Sequence, residues 1–250
     1  MTITIAQISD SHLFADINAC HCGVNVYQNF KQVISQLSKI DSLNAIVFTG
    51  DLTQDHSIDS YRVFQQTVLN AKIEVPFYYL AGNHDEPNIM ANELAISPFI
   101  NKQGFSLGKW RFTLLATKSD TPAGVVSQAE LARLNQESQL SQYHWCFMHH
   151  HPINVGYFID RHPLINAEQF WQRLNNMPST KGVSCGHIHR ALHLTSKLDN
   201  RNVDVLTCPA TSIQFDPKAD TVSALEQGPG FRLLTFENDG SYHSTVHYLS

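Results

Sequence analysis

An α/β fold built on a parallel sheet is what this sequence predicts, and three observations carry the prediction. Short apolar runs alternate with stretches whose apolar residues recur three and four apart, the β-α-β-α-β order that feeds a parallel sheet covered by helices. Five of the apolar runs stop at a cluster of Asp, Asn or His side chains. The composition, 42% hydrophobic and 16% charged, suits a globular enzyme better than a disordered or membrane chain.

Residues 3–8 alternate and are rich in β-formers, a first strand that ends at Asp10-Ser11-His12. Residues 25–37 carry Val26, Phe30, Val33, Ile34 and Leu37 on one face, an amphipathic helix. The apolar run 45–48 is a second strand, closed by Thr49-Gly50-Asp51, and 60–69 is a second helix with Tyr61, Phe64 and Val68 aligned. The aromatic run 75–81 is a third strand; a glycine then allows a sharp turn into Asn83-His84-Asp85. Residues 87–98 are loosely helical, and strands follow at 104–107 and 111–117. Ser127 caps a helix over 127–140, with Glu130 at the capping-box spacing. The strand 144–148 runs directly into His149-His150-His151, and 153–165 is a loop over the sheet edge. Asn166 caps a helix through Leu174, and 182–185 is a short strand ending in Gly186-His187-Ile188-His189. Three strands, 203–206, 231–236 and 242–248, complete the chain, with a linker-like 216–230 too short to be a domain boundary. One domain over residues 1–250 is the simplest organisation, long enough to bury a core without disulfide staples.

A net charge of −5 and a pI near 6.2 argue against a nucleic-acid partner, which would call for a basic surface. The five cysteines are scattered. Cys20-His21-Cys22 lacks the second pair a thiolate zinc site needs, so reduced thiols in a cytoplasmic protein are expected. No signal peptide and no membrane-spanning run is present in the sequence as given.

Fourteen histidines are the unusual count, and their positions decide what they mean. Asp10 and His12, Asp51, Asn83 and His84, His149, and His187 and His189 all stand at strand ends, where ligands bind in α/β sheets. Each has an ordinary explanation taken singly, as a turn residue or a solvated side chain. Together they make a shared metal site. Oxygen and imidazole donors without thiolate suit manganese, iron, zinc, cobalt or nickel. Even seven of these donors exceed what one catalytic ion can use while keeping an open position, but they suit two ions sharing a carboxylate. Asp51, on what should be a central strand, is the natural bridge.

The blocks Asp10-Ser11-His12, Gly50-Asp51, Gly82-Asn83-His84-Asp85, His149 and Gly186-His187-Ile188-His189 resemble, in full and in order, the signature of the calcineurin-like metallophosphoesterases. Residues Gly23-Val24-Asn25, Pro209 to Phe215 and Gly228 to Arg232 extend the resemblance to the bacterial 3′,5′-cyclic-AMP phosphodiesterase branch. The resemblance implies a four-layer α/β/β/α sandwich. It assigns Asp10, His12, His189 and the bridge Asp51 to one ion, and Asp51, Asn83, His149 and His187 to the other. The ions implied are divalent or mixed-valence, iron or manganese first, with zinc, cobalt or nickel also compatible. His149 is taken as the ligand from the histidine triplet, with His150 as its alternative. His84 resembles the general acid, and His12, Asp51, Asn83, His84 and His189 would face the substrate. Many members place an acid three residues after the bridging Asp to orient that histidine; here the position holds Gln54, followed by Asp55.

The activity implied is hydrolysis of 3′,5′-cyclic AMP to 5′-AMP by a hydroxide bridging two ions, with His84 protonating the departing ribose oxygen. The alternative is a phosphodiesterase for another small diester, a 2′,3′-cyclic nucleotide or a glycerophosphodiester. A non-catalytic scaffold on the same fold would have lost ligands, and none is missing. Tyr157, Phe158 and Phe215 are candidates to stack on a purine, against the ordinary role of aromatics in packing.

Overall fold

The structure, a computed structural model, describes residues 2–250. Its first half runs β1 (Ile3–Ile8), α1 (Val26–Leu37), β2 (Ala45–Phe48), α2 (Ile58–Asn70), β3 (Phe77–Tyr79), α3 (Pro87–Glu93) and β4 (Phe99–Ile100). Then come β5 (Gly104–Leu107), β6 (Trp110–Leu115), α4 (Gln128–Glu137), β7 (Tyr143–Met148), a 3-10 turn (Phe158–Arg161), α5 (Ala167–Asn175) and β8 (Thr180–Cys185). The chain closes with β9 (His193–Lys197), β10 (Asn202–Thr207), β11 (Gly230–Phe236) and β12 (Tyr242–Tyr248).

The strands form two sheets of six, in the orders β12-β11-β1-β2-β3-β4 and β5-β6-β7-β8-β10-β9. The interior strands β1, β2 and β3 are mutually parallel, as are β6, β7, β8 and β10. Antiparallel strands flank them: β11 and β12 in the first sheet, β5 and β9 in the second. The parallel sheet expected from the first half is therefore one of two mixed sheets.

Side-chain alternation explains the stacking. All four residues of β2 are buried, so both its faces need cover. Ile46 and Phe48 join Phe30, Val33 and Phe64 beneath α1 and α2, while Ala45 and Val47 face Phe112, Trp145 and Phe147 of the other sheet. Beyond the second sheet, Leu131 and Leu134 of α4 and Phe170 and Leu174 of α5 pack on Cys146, Met148 and Val183. The layers are helix, sheet, sheet, helix, as expected. Each large apolar side chain buried in this way contributes about 1.5–3 kcal/mol.

Caps begin the helices. Asn25 Oδ1 accepts the Gln28 N–H at 3.0 Å, Ser57 Oγ accepts that of Ser60 at 3.1 Å, and Ser127 Oγ accepts that of Glu130 at 3.1 Å. The capping box at Ser127 is half formed, because Glu130 turns to Arg133 and the Ala116 N–H instead. Asn166 precedes α5 but does not cap it; its amide bonds the backbone of Val126, joining two loops. No helix among the described residues is long and apolar enough to cross a membrane.

Candidate metal centre

The ends of β1, β2 and β3 from one sheet meet those of β7 and β8 from the other, and the polar clusters lie where they meet. Five of the seven candidate ligands, Asp10, His12, Asp51, His187 and His189, have positive φ, between 44° and 67°. Non-glycine residues hold that conformation at a cost, and such strain gathers at functional sites. Two glycines let the strand ends approach. A Cβ on Gly82 would stand 2.2 Å from Asp51 Oδ1 and 2.7 Å from His149 Cε1; one on Gly186 would stand 2.0 Å from Ser9 Oγ.

Two donor clusters share Asp51. In the first, His12 Nε2 lies 3.1 Å from His189 Nε2 and 3.7 Å from Asp51 Oδ2, and His189 Nε2 lies 3.4 Å from Asp10 Oδ1. In the second, His149 Nε2 lies 3.1 Å from Asn83 Oδ1, 3.3 Å from Asp51 Oδ2 and 3.2 Å from His187 Nδ1.

The opposite nitrogen of each ring is already committed. His12 Nδ1 donates to Gln54 Oε1 at 2.7 Å and His189 Nδ1 to the Ile213 carbonyl at 2.8 Å. His149 Nδ1 donates to the Thr49 carbonyl at 2.7 Å and His187 Nε2 to that of His162 at 2.9 Å. Such bonds fix the tautomer and turn the unprotonated nitrogen inward, as metal-ligating histidines require. In their neutral form, rings held this way point lone pairs at one another and at carboxylate oxygens. That arrangement is repulsive until a cation lies among them, so the donor set fits metal ions.

The electrostatics agree. Burial holds His12 and His187 well below the ordinary imidazole pKa, keeping them neutral donors. Burial opposes charge on His149 as well, but Asp51 and Asp10 overcome it and raise its pKa to about 9. The carboxylates thus draw positive charge to this point, and a proton or a metal cation answers the same field.

His150 stands in a metal-competent group with His149 and His187, but both its ring nitrogens are engaged, Nδ1 with Thr117 Oγ1 at 2.8 Å and Nε2 with the Pro122 carbonyl at 3.1 Å. The Cys20 and Cys22 thiols are exposed and stand in none of the metal-competent donor groups among the described residues.

His84 stands beside both clusters, its ring edge-on to His12 with centroids 4.8 Å apart. One of its ring nitrogens lies within 4.8 Å of donor atoms of His12 and Asp51, and its Nδ1 is buried with no hydrogen-bond partner among the described residues. Burial holds its pKa below the ordinary value against the pull of Asp51. Neither residue at the expected orienting position reaches it. Gln54 serves His12, and Asp55 accepts from the Ala15 N–H and from Ser57. Asp85, which closes the third sequence block, fastens the strand ends by accepting the Leu52 N–H and the Gly82 N–H, each at 2.9 Å.

A cavity of about 310 Å³ opens over the clusters, lined by His12, Asp51, Asn83, His84, His187 and His189 together with Phe158, Arg161 and Phe215. Two of the three aromatics considered for purine stacking have other work. Phe215 is buried and lies parallel to His189, 3.8 Å between centroids, and the buried Tyr157 hydroxyl donates to the Ile188 carbonyl. Phe158 and Phe215 both line the cavity. Sequence reasoning passed over His21, whose ring lies 5.6 Å from that of His12, and His56, which stacks beside His84; both sit in loops with no periodic signal.

The model of the calcineurin-like phosphoesterase family matches residues 3–191. A "Probable cyclic nucleotide phosphodiesterase" of Colwellia psychrerythraea is 46% identical over 98% of this chain and 94% of its own length. A 3′,5′-cyclic adenosine monophosphate phosphodiesterase of Vibrio vulnificus is 32% identical, over 100% of this chain and 91% of its own. Among solved structures, a dimetal phosphatase from Danio rerio superposes with a TM-score of 0.66 over 99% of both chains, at 14% identity, a likeness of fold.

Proposed function

The chain belongs to the calcineurin-like phosphoesterases, and from that premise we propose that it hydrolyses 3′,5′-cyclic AMP to 5′-AMP at a site for two metal ions. The observation that supports the reading is the pair of four-donor clusters sharing Asp51, with His84 close beside His12 and Asp51. Asp10, His12, His189 and Asp51 would hold one ion, and Asp51, Asn83, His149 and His187 the other. Bound there, iron or manganese ions, or zinc, cobalt or nickel in their place, would supply positive charge against the phosphoryl oxygens and lower the pKa of water. The relatives named for cyclic nucleotides, alike over nearly the whole chain, support the substrate.

The residues of the chain do the rest. Gln54 and the carbonyls of Ile213, Thr49 and His162 hold the four imidazoles in one orientation, so little reorganisation accompanies the reaction. His12, Asp51, Asn83, His84 and His189 bound the cavity where the cyclic phosphate would lie. His84 would pass a ring proton to the ribose 3′ oxygen as the oxygen of water bonds to phosphorus and the P–O3′ bond breaks, leaving the 3′ hydroxyl and a 5′ phosphate monoester.

The test is a panel of 3′,5′-cyclic AMP, a 2′,3′-cyclic nucleotide and a glycerophosphodiester, offered to metal-loaded protein. Chromatography should find 5′-AMP from the first substrate, and a chelator should abolish it. Formation of 3′-AMP, or turnover of glycerophosphodiesters alone, would replace this reading with the alternative diester.

A further inference from the structure

Two side chains outside the donor clusters hold the backbone that carries His84. Lys118 Nζ donates to the Asn83 carbonyl at 3.0 Å, and His56 Nδ1 lies 2.9 Å from the His84 carbonyl. A carbonyl only accepts, so His56 carries a proton on Nδ1. From the other side, the His84 N–H donates to Asp51 Oδ1 at 2.9 Å. Both peptide groups flanking the His84 Cα are thereby tied, which fixes the direction in which its side chain leaves the chain. The His56 ring lies parallel to that of His84, 2° between planes and 5.6 Å between centroids.

Among the described residues no hydrogen bond holds the His84 ring: its Nδ1 has no partner, and Gln54 and Asp55 are engaged elsewhere. A catalytic imidazole is usually aimed by a third group on its far nitrogen. Here the aim has to come through the backbone. His56 is built for that task. It takes a left-handed conformation, φ 57°, and its N–H donates to Thr53 Oγ1 at 3.0 Å, an oxygen that Ser60 Oγ also reaches at 2.6 Å.

We propose that His56 is the positioning residue of this site, its Nδ1–H bond to the His84 carbonyl aiming the His84 ring at the departing oxygen. The inference rests on His84 acting as the acid. It makes the loop before α2 belong to the leaving-group side of the cavity, and it confines the consequence to substrates whose leaving oxygen needs a proton.

The full-length, metal-loaded protein is compared with three variants. His56→Ala removes the donor. His56→Gly also removes it but relieves the left-handed backbone. His56→Asn keeps an N–H near the Nδ1 position and tolerates that backbone. The Ala and Gly variants should lose about 3- to 30-fold in kcat on 3′,5′-cyclic AMP, a fraction of what a positioned acid contributes. KM and metal content should stay at the wild-type level, and the loss on bis(4-nitrophenyl) phosphate should be several-fold smaller. The Asn variant should recover to within about twofold of wild type on the same scale. Equal losses on the two diesters, no loss in the Gly variant, or an Asn variant as slow as Ala would each overturn the proposal. Should wild-type protein leave cyclic AMP untouched, the substrate reading fails separately, and the ratio is then measured on a phenyl and a nitrophenyl diester.

Discussion

His84 lines the cavity close enough to His12 and Asp51 to be a third donor with them, so a substitution there tests whether it holds metal or moves a proton. His84→Ala is expected to keep both ions and to turn over 3′,5′-cyclic AMP about 10²–10⁴-fold more slowly. A nitrophenyl diester, whose leaving group needs little protonation, should lose far less, and the ratio of the losses measures the transition-state contribution of the proton. Equal losses with metal unchanged would make His84 a phosphate-positioning group. The candidate ligands could be picked out residue by residue, because each lies within a few residues of the end of a strand and local sequence records that neighbourhood. The groups that hold the ligands were not legible. The carbonyls of Thr49, His162 and Ile213 belong to every residue type alike, and only the fold says which imidazole each will meet. Gln54 shows the same limit: a motif position suggested His84, whereas geometry gives it to His12.

At the scale of the element, the interior strands were readable because both their faces are buried, and the edges were not. β9, His193–Lys197, alternates between exposed and half-buried residues and offers Leu194 alone as an apolar marker. β4 is two residues long, too short for any period to show. The strand expected over 75–81 shrinks to Phe77–Tyr79, although its flanks still bond β2, Pro76 accepting the Ile46 N–H at 2.9 Å and Leu80 donating to the Phe48 carbonyl at 3.1 Å. Strand pairing also makes a testable statement about pH. β7 lies between β6 and β8, and there His144 is buried with Thr113 Oγ1 and Thr180 Oγ1 each 2.9 Å from a ring nitrogen. Burial, with Arg111 and Arg133 adding to it, pushes its pKa down to about 3 from an ordinary 6.5. Between those values the unfolded chain binds a proton that the folded chain refuses. The stabilising contribution is therefore complete above pH 6.5 and is lost as the pH falls toward 3, at about 1.4 kcal/mol per unit. His144→Asn should flatten the fall in urea-unfolding stability between pH 6.5 and 4.5 relative to wild type, whatever its stability at pH 7. An unchanged slope would mean that His144 takes up its proton in the folded state.

The whole molecule is two sheets joined face to face by Trp110, Phe112, Trp145, Phe147 and Phe236, with the site where strand ends from both sheets converge. That architecture is where local reading ran out. Helix and strand periods fix faces, but the pairing of β1 with β11 joins residues more than two hundred positions apart, as in Ile3 with Phe236. The four layers followed from the family resemblance. One consequence belongs to this scale alone. Asp10, Asp51 and Asn83 come from the first sheet and His149, His187 and His189 from the second, so each cluster spans both and Asp51 belongs to each. The most direct measurement is elemental analysis of purified, metal-loaded protein beside its Asp51→Asn variant. Close to two transition-metal ions per chain in the wild type, and loss of both together in the variant, is the result expected of two sites sharing one carboxylate. One ion in the wild type, or a variant that keeps one of two, would contradict a shared dinuclear site.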